Sequence, residues 1–458
     1  MLSEKLSKKF SIIMLALYSA LMALGAGACI LQREHRSYAL CFALALAAAV
    51  LWLKLRDKLK LPENPLVLTG LCIAVNGLWL LLFSIEPAGD YEVFEGFARL
   101  LSYGGPARQS YVALFPHIFG YSWVLSFFYR ALGFESWIAP CLNLFFTTAS
   151  GLLLYALASK DGGRREGATA YILWIFCPSK LIYNSMVLSE PYYTCLLLLF
   201  LLLLQRCGRS AAGGIPAGAA AGAVLRLVNT ARPIALVPII AFFIWLVFLK
   251  GFRKGMLPFA ALLLAVYFST GPLWENYMES RLLEPCASGA PGYNVYVGFN
   301  NETKGTHSQA DMDLLLSLYA DSSAPEAQEQ MLEKAKARIS ETGNLPELLL
   351  CKLRSLLGND EAAPYYAKEA LSGTAYKLLC VACNVYYYFI IILSFSGVYS
   401  YVKKGKTGLW LMAPLYCLGL ILAQLLVEVA GRYHYSLVPM IIITAVCAAA
   451  PEREEMRA

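Results

Sequence analysis

Asp90, in the stretch Ser84-Ile-Glu-Pro-Ala-Gly-Asp-Tyr-Glu, follows the end of an apolar run and stands on the opposite membrane face from nearly every Lys/Arg cluster of the chain. A carboxylate so placed can take a proton from a substrate held in lipid. Negative charge building up on a leaving group could be stabilised by cations at the same rim. His117, Arg232, Arg432 and His434 are the candidates, with Arg99, Lys352 and Arg354 behind them. Each has a plainer reading. Asp90 follows Gly89 and opens an amphipathic stretch, so it could cap a helix. Glu92 and Glu95 fit a solvated helix face, and Arg232 and Arg432 fit anchors at span ends. His117, His307 and His434 share no metal-ligand spacing, so no metal site is expected.

Positioning these residues falls to a membrane fold. Hydrophobic residues make up 58% of the chain, and mean hydropathy is +0.55, which excludes an ordinary soluble domain. A span needs about 20 apolar residues. Such runs recur near 10–30, 38–53, 66–85, 137–158, 168–186, 191–205, 212–229, 233–250, 256–275, 376–400, 408–426 and 433–450, which predicts an all-α polytopic protein of about twelve transmembrane helices.

Orientation follows from the cations. Lys5, Lys8 and Lys9 precede the first span, Lys54, Arg56, Lys58 and Lys60 follow the second, and Lys160, Arg164 and Arg165 follow the fourth. Arg206 and Arg209, then Lys250, Arg253 and Lys254, then Lys403, Lys404 and Lys406 continue the pattern. With both termini cytoplasmic, all of these fall inside, as the positive-inside bias expects; Arg33 and Arg36 disagree. Counting 117–132 as a span would invert the next three loops, so this aromatic segment is expected to lie at the interface. The net charge of +7 then serves the cytoplasmic leaflet, and no nucleic-acid motif is present. Most of the thirteen cysteines lie in apolar runs, Cys380 and Cys383 among them, where thiols pack. Cys286 and Cys351 fall in an outer loop and could pair if that face is oxidising.

Two outer segments remain. In the first, about 86–137, Phe94, Phe97, Ala98 and Leu101 recur at helical spacing, with Glu92, Glu95, Arg99 and Ser102 on the other side, which predicts a surface helix begun near Asp90. The second, 276–375, opens with Gly292-Tyr-Asn-Val-Tyr-Val-Gly, whose alternation predicts a short strand. It then becomes helical through 308–340 and carries an amphipathic helix at 345–357, from which Lys352 and Arg354 could snorkel to headgroups. The expected divisions are an N-terminal hairpin over 1–65, a membrane core over 66–275, this loop domain, and a three-span bundle over 376–458.

The order of these motifs resembles the bacterial GT-C glycosyltransferases, in the branch of the protein O-mannosyltransferases and lipid A aminoarabinose transferases. The likeness rests on Gly-Asp-Tyr at an outer helix end, Phe115-Pro-His-Ile-Phe-Gly between two interfacial helices, and Asn184-Ser-Met-Val-Leu-Ser-Glu-Pro. Arg232-Pro233, the Gly292 stretch and Glu428-Val-Ala-Gly-Arg-Tyr-His-Tyr complete it. It covers roughly 66–450. The resemblance implies a GT-C-like bundle whose first outer loop holds the active site, and a polyprenyl-phosphate-linked sugar as donor. It also implies catalysis by the carboxylate matching Asp90, inverting at the sugar. Many members carry a second acid directly beside it; here Tyr91 stands there, leaving Glu92 or Glu95 for that place. The chemistry agrees with the placement, because a lipid-phosphate sugar is already activated and needs only a base and cations for the leaving phosphate.

Three other classes compete. A transporter or flippase would place ionisable residues mid-span, where Arg226 is the main example. A polysaccharide polymerase or ligase would rely on basic outer-loop residues, and a scaffold would tolerate loss of Asp90. The acceptor, whether protein, lipid or cell-wall polymer, and any need for a divalent ion stay open.

Overall fold

The computed structural model describes residues 4–32, 36–87, 89–208, 211–251, 253–289, 291–371, 373–404 and 407–448; Arg33, Arg209 and Lys406 of the basic clusters lie outside them. Within them the chain is helical and forms no strand. The first half runs α1 (Glu4–Ile30), α2 (Arg36–Leu55), α3 (Pro65–Leu82), α4 (Asp90–Ser102), α5 (Ser110–Leu114), α6 (His117–Leu132), α7 (Ile138–Gly162), α8 (Arg164–Ile175), α9 (Pro178–Asn184) and α10 (Glu190–Leu204). Then come α11 (Ala211–Ala231), α12 (Leu236–Ile244), α13 (Leu257–Leu282), α14 (Gly292–Gly298), α15 (Gln309–Ala320), α16 (Ala324–Ser340), α17 (Leu345–Leu357), α18 (Ala362–Tyr366), α19 (Gly373–Lys404), α20 (Met412–Leu426) and α21 (Leu437–Cys447).

Seven spans, formed by α1, α2, α3, α7, α13, α19 and α20 together with the 3-10 turn Leu409–Leu411 that leads into it, are long and apolar enough to cross a membrane. Their outward faces suit lipid: α3 leaves Leu66, Val67, Leu78, Leu81 and Leu82 uncovered. The chain is a multi-pass membrane protein. The twelve expected runs do not all become full-length helices. Residues 168–186 break into α8 and α9, because Pro178 lacks an N–H and holds Cys177 in extended backbone at ψ 111°. The 191–205 run gives the 15-residue α10, and 433–450 gives the 11-residue α21, both almost wholly buried. The 233–250 run passes from α12 into a π-helical turn over Trp245–Lys250.

The first two helices have different neighbours. α1 lies along α17 and α20, and α2 lies along α19. The Ser11 and Tyr401 hydroxyls, 2.7 Å apart, and the Tyr18–Ser394 bond of 3.2 Å tie α1 to α19 as well.

The 276–375 segment corrects one expectation. Its opening stretch is α14, a helix, because Gly292 and Gly298 let two backbones come close. A Cβ on Gly298 would sit 2.6 Å from the Val427 carbonyl carbon, and one on Gly292 would sit 1.8 Å from the Gln328 oxygen. The alternation of Tyr and Val mimicked a strand, while tertiary contact decided for the helix. Cys286 and Cys351 carry free thiols, as do Cys380 and Cys383.

Candidate active site

α3 ends at Leu82, and the chain turns through Gly89, whose φ of 59° favours glycine, into α4. Gly89 occupies the capping position and Asp90 is the first helical residue, so the carboxylate is not spent as a cap. Its place in the first turn suits the positive end of the helix. Phe94, Phe97, Ala98 and Leu101 are all buried. Phe94 meets Tyr121 and Phe97 meets Phe119, at 5.8 and 5.4 Å between ring centroids, and the Ser122 hydroxyl donates to the Phe94 carbonyl at 2.9 Å. α6 is fixed in turn on the end of α11: a Cβ on Gly120 would fall 2.2 Å from the Thr230 carbonyl oxygen.

This packing brings Asp90 to Arg432, 342 residues away. One Arg432 Nη donates to Asp90 Oδ2 at 2.5 Å, and the Tyr111 hydroxyl donates to Oδ1 at 3.1 Å. Burial pushes the Asp90 carboxyl up, but the Arg432 guanidinium, helped by the Tyr111 hydroxyl, outweighs it and holds the group below its usual range. Arg432 lies 5.4 Å from the Tyr91 ring and 5.6 Å from that of Tyr433; Arg232 lies 5.4 Å from Tyr433. The two guanidinium groups therefore share Tyr433, and Arg232 is itself paired with the buried Glu190. Nε of each arginine and Oε2 of Glu190 are buried without a hydrogen-bond partner.

A cavity of about 590 Å³ opens beside this cluster. Its lining includes the polar His117, Tyr193, Arg226, Arg232, Glu428 and Tyr433 and the apolar Ile234, Leu236, Val237, Phe268 and Leu420. Asp90 and Arg432 adjoin this lining through Tyr433, whose ring lies 5.6 Å from the Arg432 guanidinium. Arg226 is fixed by two hydrogen bonds to the Tyr267 carbonyl, at 3.1 and 2.6 Å, and lies 4.3 Å from that ring. Burial, then Arg232, push the His117 imidazole down to about 3, so it is neutral at physiological pH. Burial pushes the Glu428 carboxyl up, against the pull of nearby cations.

Of the expected site residues, Asp90, His117, Arg232 and Arg432 come together here. Glu92 is exposed on the outer side of α4. Lys352 does not snorkel: it is buried, and its amine donates to the Gly298 and Leu425 carbonyls at 2.9 and 2.8 Å. Burial pushes that amine down to about 7. It pins α17 to the α14 and α20 ends rather than facing the cavity. His434 is buried under the same turn as Arg432, with ring nitrogens 3.0 Å from the Leu356 carbonyl and from Asp360 Oδ1, and its ring stacks on Tyr387. It anchors the turn. Glu190, Glu428 and Tyr433 were not singled out from the sequence, though each lies within a motif that carried the family resemblance. Among the described residues, no three His, Cys, Asp or Glu side chains group as metal ligands.

No family model matches the chain, and no curated protein matches it. Among solved structures it is similar to ArnT from Cupriavidus metallidurans bound to undecaprenyl phosphate, at 10% identity and a TM-score of 0.34, over 84% of this chain and 77% of that one. The apo form of the same protein gives 10% and 0.33 over the same shares. The arabinosyltransferase EmbB from Mycobacterium smegmatis gives 13% and 0.33, over 84% of this chain and 40% of that one.

Proposed function

We propose that this protein is a membrane glycosyltransferase. It moves a sugar from a polyprenyl phosphate to an acceptor on the extracytoplasmic face, with inversion, and Asp90 is the general base. The observation that carries this reading is the Asp90–Arg432–Tyr433–Arg232 cluster set against a cavity lined by both polar and apolar residues. The polar residues suit a sugar phosphate, and the apolar ones suit the first isoprene units.

Without donor, Arg432 keeps the Asp90 carboxylate ionised and oriented. When a phosphate enters between Arg232 and Arg432, it competes for the Arg432 guanidinium and leaves Asp90 a stronger base. The acceptor's O–H proton passes to Asp90 as its oxygen bonds to the anomeric carbon. The bond from that carbon to the phosphate oxygen breaks on the opposite face, and the electron pair leaves with the phosphate, which the two arginines hold. Glu428, on the cavity wall, is the second acid in place of Glu92.

The test is the glycan profile exposed on intact cells lacking the protein, restored with the native chain or with Asp90→Asn. A glycan lost in the deletion, restored by the native chain and not by Asp90→Asn, is the expected result. An unchanged profile with altered uptake of a small solute would establish a transporter instead. Restoration by Asp90→Asn would remove Asp90 from the chemistry.

A further inference from the structure

A second cavity, of about 380 Å³, lies at the end of the bundle opposite Asp90, between the last turn of α2, the first turns of α8, and the α19 and α21 segments beside them. Connectivity fixes this placement: α3 runs from this end toward Asp90, and the Tyr155 hydroxyl of α7 donates to the Glu63 carbonyl in the α2–α3 turn at 2.9 Å. The floor is apolar, made by Trp52, Leu173, Leu393 and Val446. The mouth holds Arg56 and Arg165 with Asp57 and Glu166.

The two guanidinium groups are arranged around one exposed carboxylate. Asp57 Oδ1 is 3.6 Å from Arg56 Nε and 3.4 Å from Arg165 Nη2, and its side chain is 71% exposed. The Arg165 guanidinium also donates to the Arg56 backbone carbonyl, which holds it over the end of α2. Contacts of this length with a solvated carboxylate are weak, so a phosphate arriving from the membrane competes with it at little cost. The surroundings favour anions as well. Lys54, Arg56, Lys58, Lys60, Lys160, Arg164 and Arg165 face Asp57, Glu63, Asp161 and Glu166, seven cations against four acids over two short stretches.

We infer that this crevice binds an anionic phospholipid, its phosphate between Arg56 and Arg165 and an acyl chain on the apolar floor. Two guanidinium groups at the mouth of an apolar slot between membrane helices suit a lipid phosphate with its acyl chain rather than a free ion. Nothing in it depends on the glycosyltransferase reading, because it shares no residue with the Asp90 cavity.

The experiment is native mass spectrometry of the full-length protein, purified in detergent and exchanged against phosphatidylglycerol or phosphatidylcholine. The native chain should retain phosphatidylglycerol preferentially. Arg56→Gln with Arg165→Gln should cut that retention by at least about fivefold, and Asp57→Asn, at an exposed side chain, should raise it. Equal retention of the zwitterionic lipid, full retention by the double variant, or weaker retention by Asp57→Asn would each overturn the inference. Should the double variant misfold, Asp57→Asn and the choice between the two lipids still decide it.

Discussion

The Asp90–Arg432 pair is the contact on which the site's electrostatics turn. Arg432→Gln would leave a half-buried carboxylate facing the Tyr111 hydroxyl alone. The expected loss of stability is about 1–3 kcal/mol, below that of a fully buried pair because the Asp90 side chain is 34% exposed. Thermal unfolding in detergent measures it, and unchanged stability would mean that the pair is not formed. His117 gives a pH dependence of definite sign. Its folded pKa lies below its unfolded one, so its contribution is full above about pH 6.5 and is lost as pH falls from there toward 3. The melting temperature should drop from pH 7 to pH 5, and His117→Gln should shrink that drop; an identical drop in the variant would contradict it.

At the scale of the element, the α6–α11 crossing holds the cavity wall beside Arg232. Gly120→Ala would set a methyl group 2.2 Å from the Thr230 oxygen, which forces the helices apart. Overpacking of this kind costs about 1–3 kcal/mol. The variant should melt lower and lose activity; native melting would show that the crossing is loose. The elements differ in how far the sequence revealed them. α4 was legible because one face is consistently apolar and stays so in the fold, from Phe94 to Leu101. α14 was not, because its seven residues, with Tyr293, Val295 and Val297 at alternate places, fit either period and only the backbones of Gln328 and Val427 decide between them. Lys352 was misplaced for a related reason. Its amphipathic helix is real, but α14 and the end of α20 cover the face that composition assigned to headgroups.

For the whole molecule, the apolar runs revealed a polytopic membrane protein, while the number of spans depends on breaks such as Cys177-Pro178 that hydropathy averages away. Four of the candidate residues, Asp90, His117, Arg232 and Arg432, are far apart in the sequence and lie near one another in the fold. Glu190, Glu428 and Tyr433 escaped notice because their roles arise only from pairing across distant helices. What unites the molecule is one proposal: a lipid-phosphate sugar enters the cavity beside two arginines and meets the carboxylate behind them. Its most direct measurement is by mass spectrometry. The purified protein is incubated with lipid and envelope extract from cells that lack it, and the conversion of polyprenyl-phosphate-linked sugar to polyprenyl phosphate is followed. Conversion by the native chain, at least about a hundredfold slower with Asp90→Asn, is the predicted result; no conversion, or equal conversion by the variant, would contradict it.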